Sequence, residues 1–365
     1  MQRRGEAYSC WLRHKPLPEG ELAGQYRKLA RSMHVNDTSC MVAQTAIAEL
    51  TSGLHLLLGV LPRMVGDDGK QEAGIVLQVD QPPAPSREKV RRTGTEWALY
   101  PERDGYRIRW LPPADGKANG QLVIAGRSGK GLLYGVFHLL RLIQFGRMPQ
   151  DLDVSEQPAN GMRSVNHWDN IDGSVERGYS GQSIFFRESG VVKDLARIRD
   201  YARLMASIGI NAIAINNVNV HRQETWLITP RYLPDVARVA AVFRRYGITL
   251  LLSVNYAAPL EIGEADTADP LDERVRQWWK RTAREIYAAI PDFGGFLVKA
   301  DSEGRPGPHT YGRSHADGAN MLAEAVAPFG GIVVWRCFYY NCLQDWRDRK
   351  TDRAKAAYDH FAPLD

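Results

Sequence analysis

The sequence predicts an α/β protein in which a small mixed α/β region precedes an incomplete TIM-type (β/α) barrel, with about five of the eight units of that fold. From residue 162 onward, five short apolar segments alternate with longer segments of helical periodicity, as in parallel strands joined by crossover helices. Polar or aromatic residues follow every one of these strands, whereas a doubly wound sheet would concentrate them around one switch point. We therefore favour a barrel over a five-stranded doubly wound sheet.

The first part of the chain is predicted to be a separate accessory domain. A length of 365 residues suggests two domains, and we place them at 1–150 (N-terminal α/β accessory domain) and 151–365 (partial catalytic barrel). Apolar residues at helical spacing predict a helix at Met41–Leu58. Short strands are predicted at 74–79, 105–110 and 121–125, and a buried helix at 131–140. Residues 126–131 lack the glycine spacing of a phosphate-binding loop and indicate only a strand-to-helix turn.

The barrel units follow in order. Strands are predicted at 164–168, 211–215, 248–253, 295–299 and 331–335. Helical periodicity lies between them, and a last helix is expected at about 351–361. The helix after the third strand is predicted to begin with Asp269 as its N-cap and Pro270 at its first position.

Composition disfavours several classes of partner. The net charge is only +5, with 47 basic and 42 acidic residues interleaved, which disfavours a nucleic-acid partner. The spacing of Cys10, Cys40, Cys337 and Cys342 is typical of reduced thiols and not of a zinc site. No apolar run is long enough to span a bilayer and no secretory signal is visible, so we expect a cytoplasmic protein without a membrane partner.

Glu303 is the leading catalytic candidate. It follows an apolar strand in a loop rich in glycine and proline, residues 299–308, which would hold a carboxyl group facing a cleft. A glycosidase acid needs such a partly dry position, because burial keeps it protonated near neutral pH. The alternative is a loop glutamate that pairs with Arg305.

Lys299 and Arg336 end neighbouring predicted strands. Two cations at one barrel mouth suggest an anionic substrate, and an arginine can bind a carboxylate with two hydrogen bonds. The alternative is that they neutralise Asp301 or Glu303.

Aromatic and amide side chains at the strand ends suit a sugar ligand. Nine Trp and fifteen Tyr are present, several beside polar residues. Trp168 is either a sugar platform or a plug of the barrel mouth, and Asn217 either binds hydroxyl groups or makes turn contacts. His167 has no second histidine or cysteine at metal spacing, so no metal is expected.

Three segments, 166–179, 299–308 and 344–353, resemble the α-glucuronidases of glycoside hydrolase family 67. The resemblance covers essentially the whole chain. It implies that (4-O-methyl)glucuronic acid, α-1,2-linked to the terminal xylose of xylan-derived oligosaccharides, is removed with inversion and without a metal or other cofactor. It makes Glu303 the general acid, assigns the uronate carboxylate to Lys299 and Arg336, and assigns the sugar and its methyl ether to Trp168 and Val218.

The resemblance also implies that something is missing. Inverting enzymes need a second carboxylate to activate water, and the family's base carboxylates and C-terminal helical domain would lie beyond residue 365. We therefore expect a poorly soluble, inactive fragment, with homodimer contacts possible only through that absent domain. Nothing in the sequence marks Asp169, Asp172 or Asp301 as a substitute base. A non-catalytic uronate binder and a subunit completed by another chain remain alternatives.

Overall fold

The computed structural model describes residues 11–36, 39–80, 104–113, 120–301 and 305–336. Within them, a six-stranded sheet is followed by a five-stranded parallel sheet, and a two-stranded hairpin lies in the loop after the first parallel strand. An α/β protein that contains a partial barrel is thus confirmed.

The first sheet has the strand order β2-β1-β3-β5-β4-β6, with β4 antiparallel to both of its neighbours. Two apolar helices, α2 and α3, form a core with its strands, because their buried leucines and those of β3 and β5 belong to one cluster. The elements are α1 (Glu21–Leu29), β1 (Ser32–Val35), α2 (Met41–Leu58), β2 (Arg63–Val65), β3 (Ile75–Val79), β4 (Tyr106–Leu111), β5 (Gln121–Gly126), α3 (Gly129–Gln144) and β6 (Asp153–Glu156). The predicted helices and the three predicted strands of this region are therefore confirmed.

The apolar helix α2 is long enough to cross a membrane by length and composition alone. Half of this helix is buried inside the protein, and a single helix of this kind is weak evidence for a membrane span.

The turn between β5 and α3 is a helix start. The hydroxyl oxygen of Ser128 accepts a hydrogen bond from Gly131 N at 3.2 Å, which caps the helix. A side chain at Gly126 would lie 2.1 Å from the backbone nitrogen of Leu132, so this glycine permits the close approach of strand and helix. The predicted strand-to-helix turn is confirmed.

The second sheet is a curved half-barrel with the strand order β13-β12-β11-β10-β7, all parallel and in chain order. Its helices α4, α5, α7 and α8 connect successive strands, as expected for (β/α) units. The elements are β7 (Ser164–Asn166), β8 (Phe186–Arg187), β9 (Gly190–Val191), α4 (Ala196–Ser207), β10 (Ala212–Ala214), α5 (Leu233–Arg245), β11 (Thr249–Asn255), α6 (Ala258–Ile262), α7 (Glu273–Ala289), β12 (Gly295–Lys299), α8 (His315–Val326) and β13 (Ile332–Trp335). The helix predicted at 351–361 lies outside the described residues, as do Cys10, Cys337 and Cys342.

Side chains of the second sheet alternate between two faces. Phe296 and Val298 belong to the large core shared with the helices, whereas Leu297 and Val334 pack in a small cluster on the other face, the inner face of the half-barrel. Because alternate residues of a strand share a face, Lys299 and Arg336 project to the inner side, in line with Leu297 and Val334.

The start of α7 corrects one prediction. The N-cap is Asp272, whose carboxylate accepts Arg274 N at 2.8 Å, and the helix begins at Glu273. Asp269 instead accepts Leu271 N at 2.9 Å and binds Arg313, with 2.9 Å between Oδ2 and Nη2. An Asp-Pro sequence is equally compatible with a turn, and the ion pair with Arg313 selects the turn here.

A buried ion pair joins the two sheets. Asp104, which precedes β4, accepts a hydrogen bond at 2.5 Å from Arg163, just before β7. The same carboxylate lies 3.3 Å from the ammonium group of Lys130 and 3.3 Å from the side-chain nitrogen of Asn211. Since Asp104 is buried, these contacts fix the amino-terminal ends of β7 and β10 against the first sheet.

Candidate active site

Two cationic residues occupy neighbouring positions at the carboxyl edge of the half-barrel. β12 and β13 are neighbours in register, with Val298 opposite Trp335, so Lys299 and Arg336 occupy the next matched positions. The hydrogen bond from Arg336 N to Val298 O, 2.9 Å long, continues the ladder to this point. Both strands belong to one parallel sheet and lie about 4.8 Å apart. Residues 299 and 336 thus end neighbouring strands, as predicted, while their role in binding a carboxylate stays a prediction.

Lys299 is largely withdrawn from water. Lys299 is only 7% exposed to solvent. Its ammonium group donates a hydrogen bond to the amide oxygen of Asn219, in the loop after β10. Asn219 is itself held by a 2.9 Å hydrogen bond from its backbone nitrogen to Asn217 Oδ1. A buried ammonium group with an amide partner keeps its charge directed at one point, which suits recognition of a carboxylate.

Glu303, the predicted general acid, lies outside the described residues, but both flanks of its loop are described. Asp301 precedes it by two residues, and Arg305 follows it by two. A guanidinium nitrogen of Arg305 lies 3.2 Å from Nδ1 of His221, in the loop after β10. Of the described residues on either side of Glu303, Asp301 follows Lys299 by two residues and Arg305 contacts the loop that follows β10.

Asp301 is fixed by several contacts. It is 2% exposed and has a positive φ of 48°, a conformation that few residues other than glycine adopt. Its carboxylate accepts a 3.0 Å hydrogen bond from His309 N, and its Oδ2 lies 3.4 Å from His315 Nε2. Burial raises the pKa of Asp301, and the hydrogen bond from His309 N acts against that rise. The carboxylate of Asp301 therefore stabilises the conformation of the loop to which Asp301 belongs.

The described residues contain one group that could share a cation. Ligand atoms of Asp301, His309 and His315 lie within 4.8 Å of one another. However, His315 Nδ1 is 2.9 Å from the indole nitrogen of Trp335, and an indole N–H can only donate. The neutral His315 ring therefore has its proton on Nε2, which faces Asp301, and neither ring nitrogen is available to a metal. The group is better described as a buried polar network, in which Asp301 accepts a hydrogen bond from His309 N and lies in contact with His315, than as a metal site.

Trp168 and Val218 lie in neighbouring loops at the ends of β7 and β10. Trp168 is half-buried and Val218 is buried. The backbone carbonyl of Trp168 accepts Glu176 N at 2.7 Å, which folds the β7 loop back on itself. His167 is bound on both sides, 2.6 Å from the Tyr201 hydroxyl and 3.3 Å from Asp169 Oδ1.

Asn217 is engaged within the protein. Its side-chain nitrogen donates to Asn170 Oδ1 at 3.0 Å and lies 3.4 Å from Glu176 Oε2, and its oxygen accepts Asn219 N at 2.9 Å. These contacts favour the turn-forming alternative. Its assignment as a ligand for sugar hydroxyl groups stays a prediction.

The three local carboxylates considered as possible bases all have protein partners. Asp169 faces His167, and Asp301 binds His309 N. Asp172 accepts hydrogen bonds from the nitrogen and hydroxyl of Ser174 at 2.8 and 2.7 Å, which lower its pKa. Such engaged carboxylates are poorly suited to activate a water molecule.

A half-barrel of parallel strands with charged and aromatic residues at its carboxyl edge is the arrangement found in (β/α)-barrel enzymes. Residues 10–139 match the glycosyl hydrolase family 67 N-terminus, and residues 142–365 match the glycosyl hydrolase family 67 middle domain. The chain belongs to glycoside hydrolase family 67.

Two curated relatives are similar over nearly the whole chain. Alpha-glucuronidase A of Emericella nidulans is 41% identical over 374 residues, which cover 99% of this chain and 42% of the relative. The probable alpha-glucuronidase A of Neosartorya fischeri is 39% identical over 358 residues, covering 97% and 40%. The chain thus spans about two fifths of the length of the curated relatives it matches.

Among solved structures, a GH20 beta-N-acetylhexosaminidase from Streptomyces coelicolor A3(2) matches with a TM-score of 0.53 at 15% identity. The match covers 89% of this chain and 67% of that one. At this identity the likeness bears on the fold alone.

Sequence reasoning missed His315 and Trp335 as parts of the site. The sequence predicts helical periodicity before the strand at 331–335 and marks neither residue as part of a site. No spacing rule connects Asp301 to either residue, so the sequence contained no signal for the network.

Proposed function

We propose that the chain contributes the general acid and the uronate-binding half of an α-glucuronidase active site. The substrate would be a xylan-derived oligosaccharide, from whose terminal xylose an α-1,2-linked (4-O-methyl)glucuronic acid is removed with inversion. Membership of family 67 and two relatives named alpha-glucuronidase support the reaction class.

The adjacency of Lys299 and Arg336 is the observation that supports this function most directly. They occupy matched positions on neighbouring strands and project to the same inner face. A guanidinium group and an ammonium group at this spacing can bind the two oxygens of one carboxylate, with about 1.5–3 kcal/mol for each charge-assisted hydrogen bond.

In the proposed reaction, Glu303 donates a proton to the glycosidic oxygen as the bond to the anomeric carbon breaks. Lys299 and Arg336 hold the uronate carboxylate, while Trp168 and Val218 contact the sugar ring and its methyl ether. A base carboxylate about 6.5–9.5 Å from the acid would activate water on the opposite face of the ring. Among the described residues, Asp169, Asp172 and Asp301 are engaged by protein partners. Because the base carboxylates of the family that the sequence resembles would lie beyond residue 365, we infer that the base is supplied from outside this chain.

Replacement of Glu303 by Gln tests the acid role, in a version of the chain extended through its downstream reading frame. Turnover of aldotriouronic acid should fall by about 10²-fold or more, because the amide cannot donate a proton in the required way. Binding of the substrate, measured by calorimetry, should change little. The exposed Glu285→Gln on α7 is the matched control, and unchanged turnover in Glu303→Gln would remove Glu303 from the acid role.

A second candidate function follows from the engaged carboxylates. Without a base, Lys299, Arg336 and Trp168 could form a non-catalytic site for uronate sugars. Calorimetry with glucuronic acid beside a hydrolysis assay on the extended version separates the two functions, since a binder gives heat of binding and no product.

A third arrangement, in which another chain completes the half-barrel, is tested by light scattering. The sample would be this chain alone and then mixed with a candidate C-terminal fragment. A complex of defined mass that forms only in the mixture would support it.

A further inference from the structure

We propose that His315 is a positioning residue which couples the loop of the general acid to the strand end that binds the uronate carboxylate. The inference rests on the proposed function and deepens it. One imidazole ring lies between Asp301, at the start of the Glu303 loop, and Trp335, the residue directly before Arg336.

The His315 ring is suited to this role by its two contacts. His315 is completely buried at the first turn of α8. Its Nδ1 accepts the indole N–H of Trp335 at 2.9 Å, which leaves the ring proton on Nε2, and Nε2 lies 3.4 Å from Asp301 Oδ2, within ion-pair distance. Nδ1 therefore contacts the end of β13, and Nε2 contacts the residue that follows β12 by two positions. A rotation of the ring would disturb both contacts.

The loop side of the network is tightly packed. The positive φ of Asp301 would be strained without compensation, and conformations of this kind cost about 1–3 kcal/mol. Hydrogen bonds from His309 N and the Thr310 hydroxyl to the Asp301 carboxylate hold this conformation, at 3.0 and 3.4 Å. A side chain on Gly307 would lie 2.4 Å from Asp301 Cγ, so the returning chain closes directly over the carboxylate. These contacts restrict the backbone and the carboxylate of Asp301, which precedes Glu303 by two residues.

The strand side is packed in the same way. The Trp335 ring stacks edge-on against His315 and Tyr256, with centroids 5.6 and 6.1 Å apart. Gly318 of α8 gives room for this ring, because a side chain there would lie 3.0 Å from it. A fixed Trp335 holds the backbone from which Arg336 extends.

The arrangement has a consequence that a merely structural histidine would not have. Loss of the contact to Asp301 should affect placement of the acid and hence kcat, since a displacement of about 1 Å at a reacting group costs up to about 10²-fold. Loss of the contact to Trp335 should affect placement of Arg336 and hence substrate binding. The two effects should be separable by substitution.

Two amide variants retain one contact each. In His315→Asn, the short side chain can offer an acceptor oxygen near the position of Nδ1 but cannot reach Asp301. In His315→Gln, the longer side chain can place an N–H near the position of Nε2 toward Asp301, away from Trp335. Both would be prepared in the version extended through the downstream reading frame and assayed on aldotriouronic acid, with Asn320→Ala as control on the exposed face of the same helix.

We expect His315→Asn to lower kcat about tenfold or more with KM changed less than about twofold. We expect the converse for His315→Gln, with KM raised about tenfold and kcat nearly unchanged. Trp335→Phe, which removes only the indole donor and some volume, should raise KM as His315→Gln does. It therefore tests the contact between His315 and Trp335 even if a His315 variant fails to fold.

The positioning role would be overturned if kcat and KM stayed within twofold of wild type in all three variants. It would also be overturned if kcat and KM changed to the same extent in every variant, in proportion to the loss of thermal stability. An active wild-type protein with unaffected variants would refute this inference and leave the proposed function standing. An inactive wild-type extended protein would refute both.

Discussion

Lys299, the last residue of β12, donates a hydrogen bond from its ammonium group to the side-chain oxygen of Asn219, which follows β10. The contact connects the end of β12 to the loop after β10, and the strand β11 lies between β12 and β10 in the sheet. It fixes the direction of a cation that would otherwise sample several rotamers.

Replacement of Asn219 by Ala tests the importance of this contact. Without the amide oxygen, the ammonium group of Lys299 should move, and we expect affinity for glucuronic acid to fall about three- to tenfold, the equivalent of one ordinary hydrogen bond. Calorimetric titration measures the effect, and Asn160→Ala, at an exposed position before β7, is the control. Equal affinity in the two variants would show that Asn219 does not orient Lys299.

The buried carboxylate of Asp104 should be important for stability. Its removal leaves Arg163 and Lys130 without their shared partner, and the loss of one member of a buried ion pair typically costs about 3–5 kcal/mol. We expect Asp104→Ala to lower the free energy of unfolding by an amount in this range, measured by urea denaturation. Asp153→Ala, which breaks an exposed pair with Arg109, should change it by less than about 1 kcal/mol. Similar losses in both variants would contradict the role given to Asp104.

His14 should make the fold sensitive to acid. Burial and the nearby Arg203 lower the pKa of His14 from 6.5 to about 4. The unfolded chain therefore binds a proton at this residue at a higher pH than the folded protein does. Above pH 6.5, His14 is neutral in both states and the free energy of unfolding has its full value. It decreases as the pH falls from 6.5 toward 4, because the unfolded chain then binds the proton first.

Replacement of His14 by Gln should flatten the pH dependence of Tm between pH 6.5 and 4. Solvent screening of the partly exposed ring limits the expected effect to about 1–2 kcal/mol. The lowered pKa of His138 acts in the same direction, so some slope should remain. The exposed His55→Gln serves as control, and a His14→Gln curve that coincides with the wild-type curve would count against this assignment.

Local patterns predicted most of the elements. The helix Met41–Leu58 and the strand Gly295–Lys299 have the predicted limits, since a long apolar period and a short apolar run are both local signals. The helix α1 and the strands β1, β2 and β6 were missed because they are short and carry no clear apolar period. The three strands are determined by their pairing within the first sheet.

The candidate site was predictable only in part. The approach of Lys299 to Arg336 could be predicted because the ends of successive parallel strands meet at one edge of a sheet. The Asp301–His315–Trp335 network could not, because it depends on a positive φ at Asp301 and on the position of α8. The contacts of Asn217 likewise depend on how the loops after β7 and β10 fold together.

Release of 4-O-methylglucuronic acid from aldotriouronic acid tests the central claim most directly. The assay compares the 365-residue chain with a version extended through its downstream reading frame. We predict release by the extended version only, because in the proposed function the chain contributes the acid and the carboxylate-binding residues while the base is supplied from outside it. Release by both at similar rates would contradict this account, since a carboxylate among these 365 residues would then have to serve as the base.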